Sequence, residues 1–194
     1  NKKRKAITAL ATDEAMLIAN NQYEDKRKFL VISNREWHPG IIGIVAARIL
    51  DQFNLPTAIL SAATNGIFRG SVRSNNQLMV NMALNECSEI LISHGGHSAA
   101  GGFTIKEDNI AILKDQLDKI AKRELQNCNL YKAINPDAYI SIKDITADFY
   151  EQLMLIGPYG MKNIAPIFWT RKCRILYINK LKGGHIKIRV DDGT

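Results

Sequence analysis

Ser93 to Ile105 reads SHGGHSAAGGFTI, thirteen residues that hold two of the chain's four histidines and four of its thirteen glycines. Glycine gives up more backbone freedom on ordering than any other residue. A cluster of it marks a tight turn or a place where another chain comes close. EILIS (Glu89–Ser93) leads in with strand character and GFTI (Gly102–Ile105) leaves with it. His94 and His97, three apart, would form a metal pair on a helix, but Gly95 and Gly96 weaken any helix there. No Asp, Glu or Cys stands close in sequence to complete a ligand set. Two readings stand: glycine amides facing an anion with an imidazole beside it, or a structural glycine-rich turn.

Outward from this stretch, strands and helices interleave. FLVIS (Phe29–Ser33), PTAIL (Pro56–Leu60) and GIFRGSVRS (Gly66–Ser74) have strand length and character. IIGIVAARIL (Ile41–Leu50) predicts a mostly buried helix, and NQLMVNMALNE (Asn76–Glu86) another, capped by Asn75 or Asn76. From Glu107 to Gln126, Ile110, Leu113, Leu117, Ile120 and Ala121 share one helical face. Upstream, Ile7, Leu10, Leu17 and Ile18 give residues 1–22 an amphipathic helical pattern behind the basic run KKRK. Interleaving of this kind predicts an α/β domain over about 23–128.

The character changes after NCNLYKAINPD. AYISI (Ala138–Ile142) predicts a strand, and a helix follows through Leu155. Pro158 and Gly160 punctuate the segment after it. In the tail, Ile186, Ile188 and Val190 alternate with Lys187 and Arg189, so one strand face is apolar and the other cationic. A small β-barrel or sheet module, whole or partial, fits this end.

The chain has 194 residues, 46% hydrophobic and 23% charged, enough for a buried core without staples. Starting on Asn and ending in DDGT, it is expected to be part of a longer protein. No apolar run approaches a membrane span and no signal peptide is evident. Cys87, Cys128 and Cys173 are odd in number, far apart and form no CxxC pair, which fits reduced thiols in the cytoplasm and gives no zinc site. A net charge of +7 favours an anionic partner, with nucleic acid foremost.

Two further stretches carry chemistry. In WHPGIIGIVAARI (Trp37–Ile49) a proline opens a helix whose amides would hold an anion, and His38 would touch substrate. The alternative is a structural turn in which Gly40 and Gly43 permit close packing. In RGSVRS (Arg69–Ser74) two arginines, a glycine and two serines end a strand just before a helix, and strand alternation puts Ser71 and Arg73 on one face. Arginine's rigid fork suits a phosphate, with hydroxyls and amides filling the remaining acceptors. The alternative is a solvated edge strand.

Taken together, WHPGIIGIVAARI, RGSVRS and GGHSAAGG resemble, in order and spacing, the second half of the RecJ family of single-strand-specific exonucleases in the DHH phosphoesterase superfamily. PYGMKNIAPIF (Pro158–Phe168) and GGHIKIRV are similar to segments of that family's OB-like domain, with departures at Lys162 and Ile164, where Gly and Pro are usual. The resemblance implies a DHHA1-like domain over 23–130, an α/β fold with a mixed sheet flanked by helices, and a β-rich, partial OB-like domain over 131–194. It makes 1–22 a linker helix from a DHH domain that this sequence does not contain.

The resemblance also implies roles. Ser71, Arg73 and Ser74 would bind DNA phosphate near a 5′ end. His97, with Gly95 and Gly96, would face the scissile phosphate as the catalytic group of this part, and His94 has no assigned role. Lys182, Lys187 and Arg189 would track the strand. The parent would hydrolyse single-stranded DNA 5′ to 3′ in recombination and repair, with Mn2+ or Mg2+ held by the DHH domain, leaving this part alone inactive. Single-strand-binding protein and a helicase are the implied partners, and a monomer the implied state. Two other functions fit less of the chain. A phosphoesterase for short oligonucleotides or nucleotide phosphates would not need the OB-like tail. A non-catalytic nucleic-acid-binding module would not need His97.

Overall fold

Helix α1 (Lys2–Glu24) buries Thr8, Ala11, Thr12, Ala15, Ala19 and Gln22, a stripe of small and polar side chains. The computed structural model describes residues 2–64, 66–75, 77–126, 134–160 and 163–193. Asn76, Cys128 and Lys162, on which sequence expectations fell, lie outside the described residues. The expected apolar face of α1 is turned outward: Leu10 and Leu17 are 66% and 69% exposed, and Ile7 and Ile18 are exposed as well. The reason is the neighbour. Helix α2 (Ile42–Phe53) packs along α1, and Ala11, Ala15 and Ala19 let it approach. The buried hydroxyls of Thr8 and Thr12 donate back to the carbonyls of Arg4 and Thr8, at 2.8 and 2.6 Å.

Strands β1 (Leu30–Asn34) and β2 (Thr57–Thr64) pair in parallel, with α2 between them in sequence. β3 (Ile67–Arg73) returns antiparallel on β2, β5 (Ala100–Lys106) pairs with β3, and β4 (Leu91–Gly96) closes the edge on β5. The order β1-β2-β3-β5-β4 is a mixed five-stranded sheet. Strand alternation sends Val31, Leu60, Phe68, Val72, Phe103 and Ile105 to one face, under Leu84 of α3 (Val80–Glu86) and Leu113 and Leu117 of α4 (Ile110–Glu124). Leu30, Ile32 and Ile59 go to the other face, under α1 and α2. Each such side chain, fully buried, contributes about 1.5–3 kcal/mol of hydrophobic stabilisation. The second cluster draws sheet residues from β1 and β2 alone, so on this face β3, β5 and β4 stay outside the apolar core, with α2 packed along β3.

α3 starts at Val80, later than its apolar pattern predicts. The preceding residues are occupied by the hairpin between β4 and β5. The Ser74 and Val80 amides donate to the carbonyls of Ala99 and Ser98, at 2.9 and 2.8 Å. Asn75 does not cap the helix; its Oδ1 accepts from the Gln77 amide at 3.2 Å. The glycine-rich stretch is not a free loop either. Leu91–Gly96 and Ala100–Lys106 are paired strands, and only the three residues between them turn.

Asp118 of α4 fastens that helix to the start of β1. Its buried carboxylate accepts from the Lys28 amide at 2.7 Å and pairs with Lys122 at 2.8 Å and Arg27 at 3.4 Å. Burial pushes this carboxyl up, but Lys122, the Lys28 amide and Arg27 outweigh it and hold it below the usual aspartate value. Cys87, buried after α3, is a free thiol that burial pushes up to about 11; Cys173 is also free.

The chain divides into two compact units, Asn1–Lys132 and Ala133–Thr194. In the second, β6 (Ala138–Tyr139) pairs in parallel with β7 (Phe168–Trp169), and β8 (Arg174–Lys180) pairs antiparallel with β9 (Ile186–Asp191). AYISI is strand only over its first two residues, because Asp192 accepts from the Ile142 amide at 2.8 Å and draws that residue into a 3-10 turn. Helix α5 (Ala147–Leu155) is capped by Thr146, whose Oγ1 accepts from the Phe149 amide. Ile164 is exposed, and no hydrophobic side chain among the described residues of this unit is buried.

Candidate nucleic-acid interface

β3 sets the site. Its even-numbered residues Phe68, Gly70 and Val72 are buried, while exposed Arg69 and half-buried Ser71 and Arg73 stand on the opposite face, toward α2. Cross-strand register extends each of them into a row. Arg69 lines up with Thr104 and Ser93; Ser71 with Gly102 and Gly95; Arg73 with Ala100. The face therefore carries an arginine at each end and, in the middle row, the Ser71 hydroxyl beside the bare backbone of Gly102 and Gly95. Pro39, Gly40 and Gly43, from the turn into α2 and its first residues, form the opposite wall.

Together these walls border a wide, open cleft of about 830 Å3. Arg4, Arg69, Arg73 and His94 line it, with the hydroxyls of Ser71, Ser93 and Thr104 and no carboxylate among the lining residues. A concave surface with cations and no compensating anion focuses positive potential on whatever enters.

Two glycines fix the position of Arg73 and of the strand beneath it. A Cβ on Gly70 would run into the ring of Phe103, so glycine alone lets that buried ring lie across β3. A Cβ on Gly43 would stand 3.1 Å from Arg73 Nη2 and 3.2 Å from Ser71 Oγ. Its absence gives the guanidinium room against α2. Arg73 Nη1 donates to Ser71 Oγ at 3.2 Å and to the Val72 carbonyl at 2.8 Å, leaving the rest of its fork for a ligand. Gly95 and Gly102 have no such role: nothing lies within 4 Å of a Cβ on the first, and only the Gly70 carbonyl, at 3.6 Å, on the second.

Of the residues singled out in the sequence, the structure gathers Ser71 and Arg73 in the cleft. Ser74 is buried beside them and donates to the Asn75 carbonyl at 3.1 Å, outside the lining. His38 is exposed, and its Nδ1 accepts from the Gly40 amide at 2.9 Å, shaping the turn that brings Pro39 and Gly40 to the wall. Gly95 and Gly96 end β4, and His97 is exposed at the hairpin tip, its amide bonded to the Ala100 carbonyl at 2.8 Å. None of these three lines the cleft; His94, left without a role by the sequence, does. Arg69, Ser93, Thr104 and Arg4 were also missed as site residues. The alternation that pairs Ser71 with Arg73 extends to Arg69, so that one was within reach.

Lys187 and Arg189 are exposed on β9 of the second unit, opposite Asn179 and Tyr177, and Lys182 lies in the 3-10 turn between β8 and β9. Elsewhere in that unit Tyr139 and Trp169 meet edge-on at 5.0 Å, with the Arg171 guanidinium 5.8 Å from the Tyr139 ring centre. Among the described residues no three or more His, Cys, Asp or Glu side chains gather as a metal site. No helix is long and apolar enough to cross a membrane.

A mixed α/β domain with a cationic, carboxylate-free cleft, followed by a β-rich unit, is the class of protein that these features define. The chain belongs to the DHHA1 domain family, which matches residues 26–123, and residues 136–194 match the RecJ OB domain. It is 29% identical over 193 residues to the single-stranded-DNA-specific exonuclease RecJ of Bacillus subtilis, covering 98% of this chain and 24% of that protein. With the Escherichia coli protein of the same name it shares 26% identity over 166 residues, 84% of this chain and 29% of the other. The crystal structure of RecJ with Mn2+ from Thermus thermophilus superposes with a TM-score of 0.79 at 23% identity, over all of this chain and 29% of that one. An exonuclease RecJ bound to manganese, 26% identical, gives 0.57 over 67% of this chain and 32% of that one. The chain thus spans about a quarter to a third of the length of these relatives.

Proposed function

We propose that the chain is the substrate-gripping part of a RecJ-like exonuclease that degrades single-stranded DNA from its 5′ end, acting in recombination and repair. The observation that carries this reading is the cleft, whose arginines, hydroxyls and bare backbone meet no carboxylate. Ser71 and Arg73 hold a phosphate at the 5′ end. His97, with the amides of Gly95 and Gly96, steadies charge on the oxygens of the scissile phosphate. Mn2+ or Mg2+, the ions of the Thermus thermophilus RecJ structures, belongs in this reading to a DHH domain of the parent.

In this reading α1 is the linker helix from that domain, residues 23–130 are the DHHA1-like part, and 131–194 are the OB-like part, where Lys182, Lys187 and Arg189 follow the strand. The parent works as a cytoplasmic monomer alongside single-strand-binding protein and a helicase. The test is binding of a 5′-phosphorylated single strand to the full chain across a salt series. Affinity is expected to fall log-linearly with salt, by about 0.7 of a log unit per log unit of salt for each phosphate contacted. Arg73→Ala is expected to weaken it about tenfold or more. A flat salt response, or indifference to Arg73→Ala, refutes the proposal.

A further inference from the structure

The wall of the cleft opposite β3 includes the turn of residues 35–41 between β1 and α2, and the place of that turn sets how wide the cleft stands. Three local bonds shape it. Asn34 Oδ1 accepts from the Glu36 amide at 2.9 Å, His38 Nδ1 from the Gly40 amide at 2.9 Å, and the His38 carbonyl from the Ile41 amide at 3.0 Å. Bonds between neighbours fix the form of a turn but not its position against the sheet. Two longer ties bear on that position. Arg35 pairs with Glu107, but its side chain is 70% exposed, and water screens such a pair. Trp37 is 6% exposed, within the apolar cluster that holds Ile41 and Ala11 and Ala15 of α1. Its Nε1 donates to Glu14 Oε2 of α1 at 2.8 Å, and Asn34 Nδ2 reaches the same oxygen at 3.4 Å.

A phenyl ring would fill an apolar site much as an indole does. What the indole N–H adds is the need for one acceptor, and with it a definite place. Here the acceptor comes from a different element, twenty-three residues away. Pro39 and Gly40, two and three residues past the indole, line the cleft, and Glu14 does not. We infer that Glu14 is a positioning residue for the substrate cleft: by holding Trp37 it sets the Pro39–Gly40 wall against Ser71 and Arg73, and it touches no ligand itself. The inference rests on the proposed function above. It has a sign that simple electrostatics does not share. Removing a carboxylate near an anion site strengthens anion binding by charge alone; removing this one weakens it, because the wall loses its place.

Calorimetric titration of the full chain with a 5′-phosphorylated oligothymidylate tests this, with circular dichroism to check that each variant is folded. Glu14→Ala is expected to weaken binding about fivefold. Glu14→Gln loses the charge but keeps an oxygen for the indole N–H, and is expected to bind within about twofold of wild type. Trp37→Phe, which removes the donor, is expected to weaken binding about as much as Glu14→Ala, and the double variant no more than either alone. Thr12→Val serves as the control. It removes the Arg48–Thr12 bond between α1 and α2, 3.1 Å long, without touching the turn, and is expected to lower the unfolding temperature and leave affinity unchanged. Should Trp37→Phe unfold, Glu14→Ala against Glu14→Gln decides alone. Wild-type affinity in Glu14→Ala, equal losses in Glu14→Ala and Glu14→Gln, additive losses in the double variant, or an equal loss in Thr12→Val each overturn the positioning role while the exonuclease reading stands. A wild-type chain that does not bind the oligonucleotide overturns both.

Discussion

Gly43 occupies the second position of α2, where alanine would ordinarily be the better helix former, by up to about 1 kcal/mol. What glycine gives instead is clearance for Arg73 and Ser71. Gly43→Ala is therefore expected to leave thermal stability level or slightly raised while weakening binding of a 5′-phosphorylated oligonucleotide several-fold. A differential scanning measurement beside a titration checks both halves. At this scale the sequence is legible where alternation decides, as it does for Ser71 and Arg73. It does not separate the two histidines. Both lie in one glycine-rich stretch, yet the structure sets them apart: His94 is paired within β4, opposite Phe103, and His97 follows the last residue of that strand.

Single elements show the same division. α4 was legible because a long amphipathic pattern has one physical solution, and its apolar side is the buried one. α1 was not. Its large side chains face out and its alanines face in, because the partner helix sits close enough to admit only small residues. Polar fastening was also invisible in the sequence, since Asp118 meets Lys28 from ninety residues away. With its folded value held below the ordinary one, Asp118 contributes stability above its unfolded pKa and loses it as pH falls through the folded value. Asp118→Asn is expected to cost about 1–3 kcal/mol at neutral pH. Below about pH 3.8, as the wild-type carboxyl protonates, that cost is expected to shrink; urea unfolding at both pH values measures it.

For the molecule as a whole, the interleaved strands and helices of the first unit made an α/β domain readable from pattern alone, while the mixed sheet followed from the family resemblance. The second unit gave less, because its strands are short or meet no core. Every buried hydrophobic side chain among the described residues lies before residue 126, none in the second unit. Amides of β2, β3 and β5 are expected to exchange with solvent only through global unfolding, and those of β8 and β9 at least about a hundredfold faster. Hydrogen exchange on the full chain checks this, and equal protection in both units contradicts it.

The bare stretch at Gly95 and Gly102 has a consequence for how the chain tolerates change. Elsewhere in the sheet a substitution trades one shape for another, and folding judges the trade. Here no smaller residue exists, so every substitution adds atoms, and the protein itself has room for the first of them. Intolerance at these two positions would report on the traffic across the surface, since the architecture beneath it is indifferent.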